Sequence, residues 1–92
     1  MTSEPIIWDK TARENFEAVL AKIPVFLRSI AAEKVSQRAE EFARKRLAQN
    51  DEPGVSPKDV VDAFFIETPF GFHGPMKMDM KALGIDYEKF GH

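Results

Sequence analysis

The chain has 92 residues, no cysteine and a formal net charge of −2. This length predicts a single domain. The missing cysteines exclude disulfides, cysteine-based zinc sites, thiolate-ligated iron–sulfur clusters and a cysteine nucleophile. Hydrophobic residues make up 43% of the chain and charged residues 30%, a composition typical of a folded protein. The sequence pI of about 5.7 argues against a strongly basic nucleic-acid binder.

The location of the protein is predicted from what its first residues and apolar runs lack. Residues 1–5 contain no basic segment that leads into an apolar one, so they do not have the pattern of a secretory signal. No run approaches the ~18 apolar residues that a membrane span needs. We therefore predict a cytoplasmic protein with no membrane partner.

Residues 1–7 are predicted to form a loose N-terminal arm, and Asp9 is predicted to cap a first helix. That helix has an apolar face because its hydrophobic residues recur at helical spacing. They are Ala12, Phe16, Val19, Leu20 and Ile23. Pro24 is predicted to end this helix and to begin the next one.

The second predicted helix is long, spanning roughly residues 25–49. Its predicted apolar face consists of Leu27, Ala31, Val35, Ala39, Phe42 and Leu47. We expect the Pro24–Arg28 stretch to be a tight corner between helices, with Phe26 and Leu27 in the core. Glu40–Arg44 and Glu41–Lys45 have the spacing of ion pairs along one helix.

A third helix is predicted after the turn cluster at residues 50–54. Ser56 has the position of its N-cap, Pro57 that of its first residue, and Asp59 supplies an acid at the third position. Val55 is expected to pair as a single extended residue at most, without a sheet. The buried face of this helix is predicted to contain Val60, Val61, Phe64 and Phe65.

The composition changes from residue 68 onward, where four of the five Gly, three of the four Met and both His lie. Residues 69–75 are predicted to be irregular, and residues 76–83 to form a short helix that Gly84 ends. This extension either packs over the helices, with its Phe residues filling a groove, or becomes ordered only on a partner. The predicted fold is thus a small all-α domain of three to four helices, with a long central helix that begins at a proline and an irregular C-terminal extension.

One sequence pattern points to a family. It comprises Trp8, Ala12, Leu20, the stretch Lys22–Arg28, Glu40, Ala43, Arg44, Val55, Ser56 and Val60. In this pattern residues 8–66 resemble the small domain at the C-terminus of the B subunit of light-independent (dark-operative) protochlorophyllide reductase. The stretch Lys22–Arg28 is its most specific part. We therefore treat residues 8–67 as the helical domain and residues 68–92 as an extension outside the resemblance.

The chain departs from that family in three places. The family has a basic cluster where this chain has residues 29–32, and a shorter turn than residues 50–54. The catalytic body of the subunit, which carries the cluster ligands, is not among these 92 residues. The resemblance therefore implies an appended, non-catalytic module and not the reductase activity.

Six residues are candidates for contact with a partner, although each also has a structural interpretation. Arg28 has a planar guanidinium that suits a carboxylate, and Trp8 is a residue type enriched in binding hot spots. The remaining candidates are Arg44, Phe70, Phe72 and His73. No catalytic residue, metal ligand or bound cofactor is predicted, since two His and a few Met at irregular spacing are a weak ligand signal.

Three functions remain open from the sequence. The first is a non-catalytic module that docks on a larger redox or tetrapyrrole-related protein. The second is a small histone-like nucleic-acid-binding protein, because the long helix and the segment from Val55 resemble half of a histone fold. The third is a domain that binds a tetrapyrrole without catalysis. Thirteen Lys and Arg against fifteen Asp and Glu make nucleic acid an unlikely partner.

Overall fold

The structure is a computed structural model that describes residues 6–47 and 54–92. Its helices are α1 (Lys10–Leu20), α2 (Val25–Leu47), α3 (Pro57–Glu67) and α4 (His73–Ala82), with 3₁₀ turns at Phe70–Phe72 and Glu88–Phe90. The prediction of a small all-α domain is confirmed. The predicted arm at residues 1–5, the end of the second helix at 48–49 and the turn at 50–53 lie outside the described residues.

The start of α1 agrees with the sequence prediction. The Asp9 carboxylate accepts hydrogen bonds from the backbone N–H groups of Thr11 and Ala12, at 3.0 and 3.2 Å. These bonds satisfy donors that the first turn of a helix otherwise leaves unpaired. The predicted apolar face of α1 is buried, except for Ile23, which lies beyond the end of the helix and is only partly buried.

α3 begins at the predicted capping box. The Ser56 hydroxyl accepts from the Asp59 N–H at 3.3 Å, and the Asp59 carboxylate accepts from the Ser56 N–H at 2.9 Å. Val55, just before this cap, forms a single parallel bridge with Trp8, as predicted. Gly54 has a φ of +97°, and a Cβ there would lie 3.0 Å from the Ile7 carbonyl oxygen. A larger residue at Gly54 would therefore push the N-terminal arm off Val55.

α2 and α3 run antiparallel and make the most extensive helix contact in the described structure. Arg46, near the end of α2, forms an ion pair with Asp59, near the start of α3. Arg38, further back along α2, donates to Glu67 at the end of α3 at 2.8 Å. α2 has 23 residues and α3 has 11, so the first turns of α2 extend past the end of α3.

The start of α2 was predicted wrongly, because α3 is too short to cover it. Phe26 is 78% exposed and Leu27 is 44% exposed, although both were assigned to the core. Leu47, also assigned to the buried face, is exposed as well. The residues of α2 that are buried lie opposite α3, and they are Val35, Ala39 and Ala43.

The C-terminal extension packs on the helices and supplies part of the core. Met76, Met80 and Ile85 are buried. Gly84, with a φ of +78°, ends α4, and the Ile85 N–H donates to the Met80 carbonyl at 2.9 Å, as in a Schellman motif. The predicted helix end at Gly84 is therefore confirmed.

Two details of the extension were predicted wrongly. α4 begins at His73, so residues 73–75 form its first turn although they were expected to be irregular. Pro75 is tolerated there because the first N–H groups of a helix have no intrahelical acceptor. Phe70 and Phe72 do not fill a groove in the core, because both are exposed.

Candidate functional site

Arg28 uses its guanidinium within the domain. Its Nε donates to the Leu20 carbonyl at 3.0 Å, and its Nη2 donates to the carbonyls of Ala21 and Ile23 at 3.2 and 2.8 Å. These carbonyls lie at the end of α1, where a helix has unpaired acceptors and a partial negative charge. Arg28 therefore fastens the α1–α2 corner, and the carboxylate that we considered for it is replaced by backbone oxygens.

Trp8 and Arg44 are brought together by a shared acid. The Trp8 indole Nε1 donates to Glu40 at 3.0 Å, and Arg44 lies 3.8 Å from the other oxygen of the same carboxylate. Trp8 also packs on Phe16, with ring centroids 5.1 Å apart, and carries the Arg13 guanidinium 4.5 Å above its ring. Both predicted partner residues thus take part in contacts that join the N-terminal arm to α2.

His73 lies against the end of α3. Its Nε2 is 2.9 Å from the Phe65 carbonyl oxygen and 2.8 Å from the Thr68 carbonyl oxygen. Since both neighbours are acceptors, Nε2 carries a proton and donates to them. His73 therefore satisfies two carbonyls at the end of α3, and these two hydrogen bonds hold the start of α4 against α3.

The exposed hydrophobic side chains are concentrated at one end of the molecule. α1 and α3 end there and α2 begins there. We call this surface the apolar end. It carries seven of the eleven large hydrophobic side chains that are exposed in the described structure: Val25, Phe26, Leu27, Ile30, Ile66, Phe70 and Phe72. A concentration of exposed apolar side chains at one end of a molecule is typical of an interaction site.

A groove of about 160 Å³ opens at the apolar end, between the end of α1 and α4. Its apolar lining consists of Val19, Ile23, Pro24, Phe64, Phe72, Pro75 and Met76. We call it the α1–α4 groove. A cavity of roughly 150 Å³ with a lining of this kind is known to hold a benzene ring. The groove is therefore of the size for one ring or one branched apolar side chain.

Of the predicted site residues, Phe70 and Phe72 belong to the exposed apolar surface of this end. Arg28 lies at the same end, but its guanidinium is bonded to backbone carbonyls there. Trp8 and Arg44 lie away from it, beside Glu40.

The exposure of Phe26 was not predicted from the sequence. A signal was available, because Val25, Phe26 and Leu27 are consecutive and span about 200° of a helix at 3.6 residues per turn. A face that wide exceeds what a single neighbouring helix covers.

Two further features concern metal ions and membranes. Within residues 6–47 and 54–92 there is no group of three or more His, Cys, Asp or Glu side chains that could hold a metal ion. In those same ranges no helix combines the length and apolar character needed to cross a bilayer.

Comparison with known proteins adds no relative: no family model matches the chain, and neither a curated protein nor a solved structure is significantly similar to it. The function therefore has to be argued from the surfaces described above.

Proposed function

We propose that the chain is a non-catalytic accessory module that docks on a larger protein through the apolar end. The observation that carries this proposal is the concentration of exposed apolar side chains at the apolar end, where the α1–α4 groove opens and Phe72 lines it. Residues 8–66 resemble an appended domain of the protochlorophyllide reductase B subunit, which favours a larger redox or tetrapyrrole-related protein as the partner.

The partner that fits this surface is an apolar segment with one large anchoring side chain. Phe64 and Met76 form the buried apolar part of the groove, and Phe72 on its rim is exposed. An aromatic or branched side chain inserted there would be shielded from water on several sides, which is the environment of a binding hot spot. Phe26 is 78% exposed at the same end of the molecule, outside the lining of the groove.

The charges that line the groove add a second requirement. Lys22 lies on the α1 side and Asp79 on the α4 side. A complementary segment therefore has an acidic residue on one side of its anchor and a basic residue on the other. Such pairs at a rim contribute more to orientation and association rate than to affinity.

The histone-like alternative is less well supported by the arrangement of the arginines on α2. Arg38 is paired with Glu67, Arg44 with Glu40 and Arg46 with Asp59. Binding to phosphates would have to compete with these carboxylates, and the net charge of −2 supplies no overall attraction.

The proposal is tested by native purification of the N-terminally tagged chain from its own cells, as wild type, Phe26→Ser and Ile7→Ser. Ile7 is 80% exposed but lies at the other end of the molecule, so it is the matched control. We expect one protein to be retained in stoichiometric amount by the wild type and by Ile7→Ser, and to be lost with Phe26→Ser. With the purified partner, Phe26→Ser should weaken binding about 30-fold, the effect of losing an aromatic hot spot.

Two results would contradict the proposal. One is a partner that Phe26→Ser retains as well as the wild type does, or no stoichiometric partner at all. The other is a dimer of the purified chain, seen by sedimentation equilibrium, that Phe26→Ser dissociates, because the apolar end would then be covered by a second copy.

A further inference from the structure

A second hollow lies between the last turn of α3, α4 and the C-terminal residues, and its volume is about 420 Å³. We call it the Lys77 hollow. The hollow is wide open to solvent, so a small ligand bound there would be covered mainly on one face. Phe65, Phe70, His73, Lys77 and His92 contribute to its lining, and no acidic residue does.

Lys77 is the cation of this hollow. Its Nζ lies 5.9 Å from the centre of the Phe65 ring and 5.7 Å from the centre of the Tyr87 ring. Its side chain is half-buried, and in the described structure it has no carboxylate within ion-pair distance. An ammonium that is partly shielded from water and lacks a counter-charge favours an anion beside it.

The rings around Lys77 contact one another and polar groups of α3. Phe65 is stacked on His92, with ring centroids 4.1 Å apart and an angle of 3° between the planes. His92 is fixed in turn by Asp62, whose carboxylate lies 2.7 Å from Nε2. His73 meets Phe65 edge-on at 5.1 Å, and its Nε2 is fixed by two carbonyls of α3.

Phe70 differs from these rings because it is 86% exposed while lining the same hollow. Its ring centroid lies 5.4 Å from that of His73. Phe70 and Lys77 both line the hollow, so a flat organic anion there has a ring to stack on and an ammonium to pair with.

From this arrangement we propose that the Lys77 hollow is a binding site for an aromatic carboxylate, whose acid group pairs with Lys77 and whose ring stacks on Phe70. The site is separate from the α1–α4 groove, but Ile66 and Phe70 belong both to the hollow and to the apolar end. It adds a small-molecule ligand to the proposed docking function, and its test needs no docking partner.

The test is a titration of the ¹⁵N-labelled chain with 2-naphthoate, followed by amide chemical shifts. We expect saturable shifts in α4 and at the C-terminal residues. Lys77→Met should weaken binding at least about tenfold, because it removes the one charge-assisted contact. Phe70→Ser should weaken it severalfold, and since Phe70 is exposed this variant should fold normally. Lys81→Met, an exposed lysine on the same helix, is the control and should bind as the wild type does.

The uncharged analogue 2-naphthalenemethanol separates the contribution of charge from that of the ring. We expect it to bind at least about tenfold more weakly than 2-naphthoate. Equal binding of the alcohol and the acid, equal binding by Lys77→Met and the wild type, or no saturable shift at millimolar 2-naphthoate would each overturn the proposal.

Discussion

The two halves of α2 belong to one continuous helix but differ in whether their hydrophobic side chains are exposed or buried. In residues 25–34 the large side chains Val25, Phe26, Leu27 and Ile30 are exposed. In residues 35–47 the buried residues are small, and Ala39 is 0% exposed. Burial on α2 is therefore decided by where α3 lies beside it, and not by the hydrophobicity of each side chain.

The second half is also where the charged residues are paired. Arg46 donates to Asp59 and, at 2.8 Å, to the Gly54 carbonyl, while Arg38 donates to Glu67. Asp59 is 2% exposed, so its charge depends on Arg46 and on the Ser56 N–H for compensation. From this comparison we infer that the second half of α2 stabilises the fold and that the exposed apolar side chains of the first half are available for binding.

The largest loss of stability in the second half of α2 is expected from Arg46→Met. The change leaves the buried Asp59 carboxylate without its cation, and we expect the free energy of unfolding to fall by about 3–5 kcal/mol. Urea denaturation measures it. Lys45→Met, the same substitution at the exposed neighbour, should change stability by less than about 0.5 kcal/mol. Similar effects for the two variants would mean that the Arg46–Asp59 pair does not hold the second half of α2.

A smaller effect is expected in the C-terminal extension, from Met80→Ala. Met80 is fully buried, and its truncation should cost about 2–4 kcal/mol through lost contacts and the cavity left behind. Met78, two residues earlier on α4, is 74% exposed, so Met78→Ala should have almost no effect on the melting temperature. A melting temperature that is equally unchanged in both variants would show that the extension is not part of the core.

Arg28→Met is expected to have a smaller effect again. It removes three hydrogen bonds to carbonyls at the end of α1, and because the site is partly open to water we expect a loss of about 1–2 kcal/mol. Thermal unfolding compares it with Lys34→Met, an exposed lysine on α2. If Arg28→Met were as stable as that control, Arg28 would not fasten the corner, and its assignment as a partner contact would regain support.

Features set by neighbouring residues could be predicted from the sequence. The Asp9 cap, the Ser56–Asp59 capping box, the single pairing of Val55 and the helix end at Gly84 depend on residue types and spacings within a few positions. The apolar face of α1 was predictable for the same reason, since the α1 positions facing the core recur at helical spacing.

The remaining features depend on where elements end in space, which the sequence pattern does not contain. Periodicity assigns Leu27 and Val35 to the same face of α2, but only Val35 has α3 beside it. The acceptors of Arg28 are backbone oxygens, which have no sequence signature. The pairings of Arg46 with Asp59 and of Trp8 with Glu40 join residues far apart in the chain, which spacing alone does not predict.

The central claim is that the exposed apolar residues of α2 serve binding and not folding. The direct test is the free energy of unfolding of Phe16→Ser and Phe26→Ser, measured side by side by urea denaturation. Phe16 is 6% exposed and Phe26 is 78% exposed, so we predict a loss of about 3–5 kcal/mol for the first and less than about 0.5 kcal/mol for the second. A loss for Phe26→Ser that approaches that of Phe16→Ser would contradict the account.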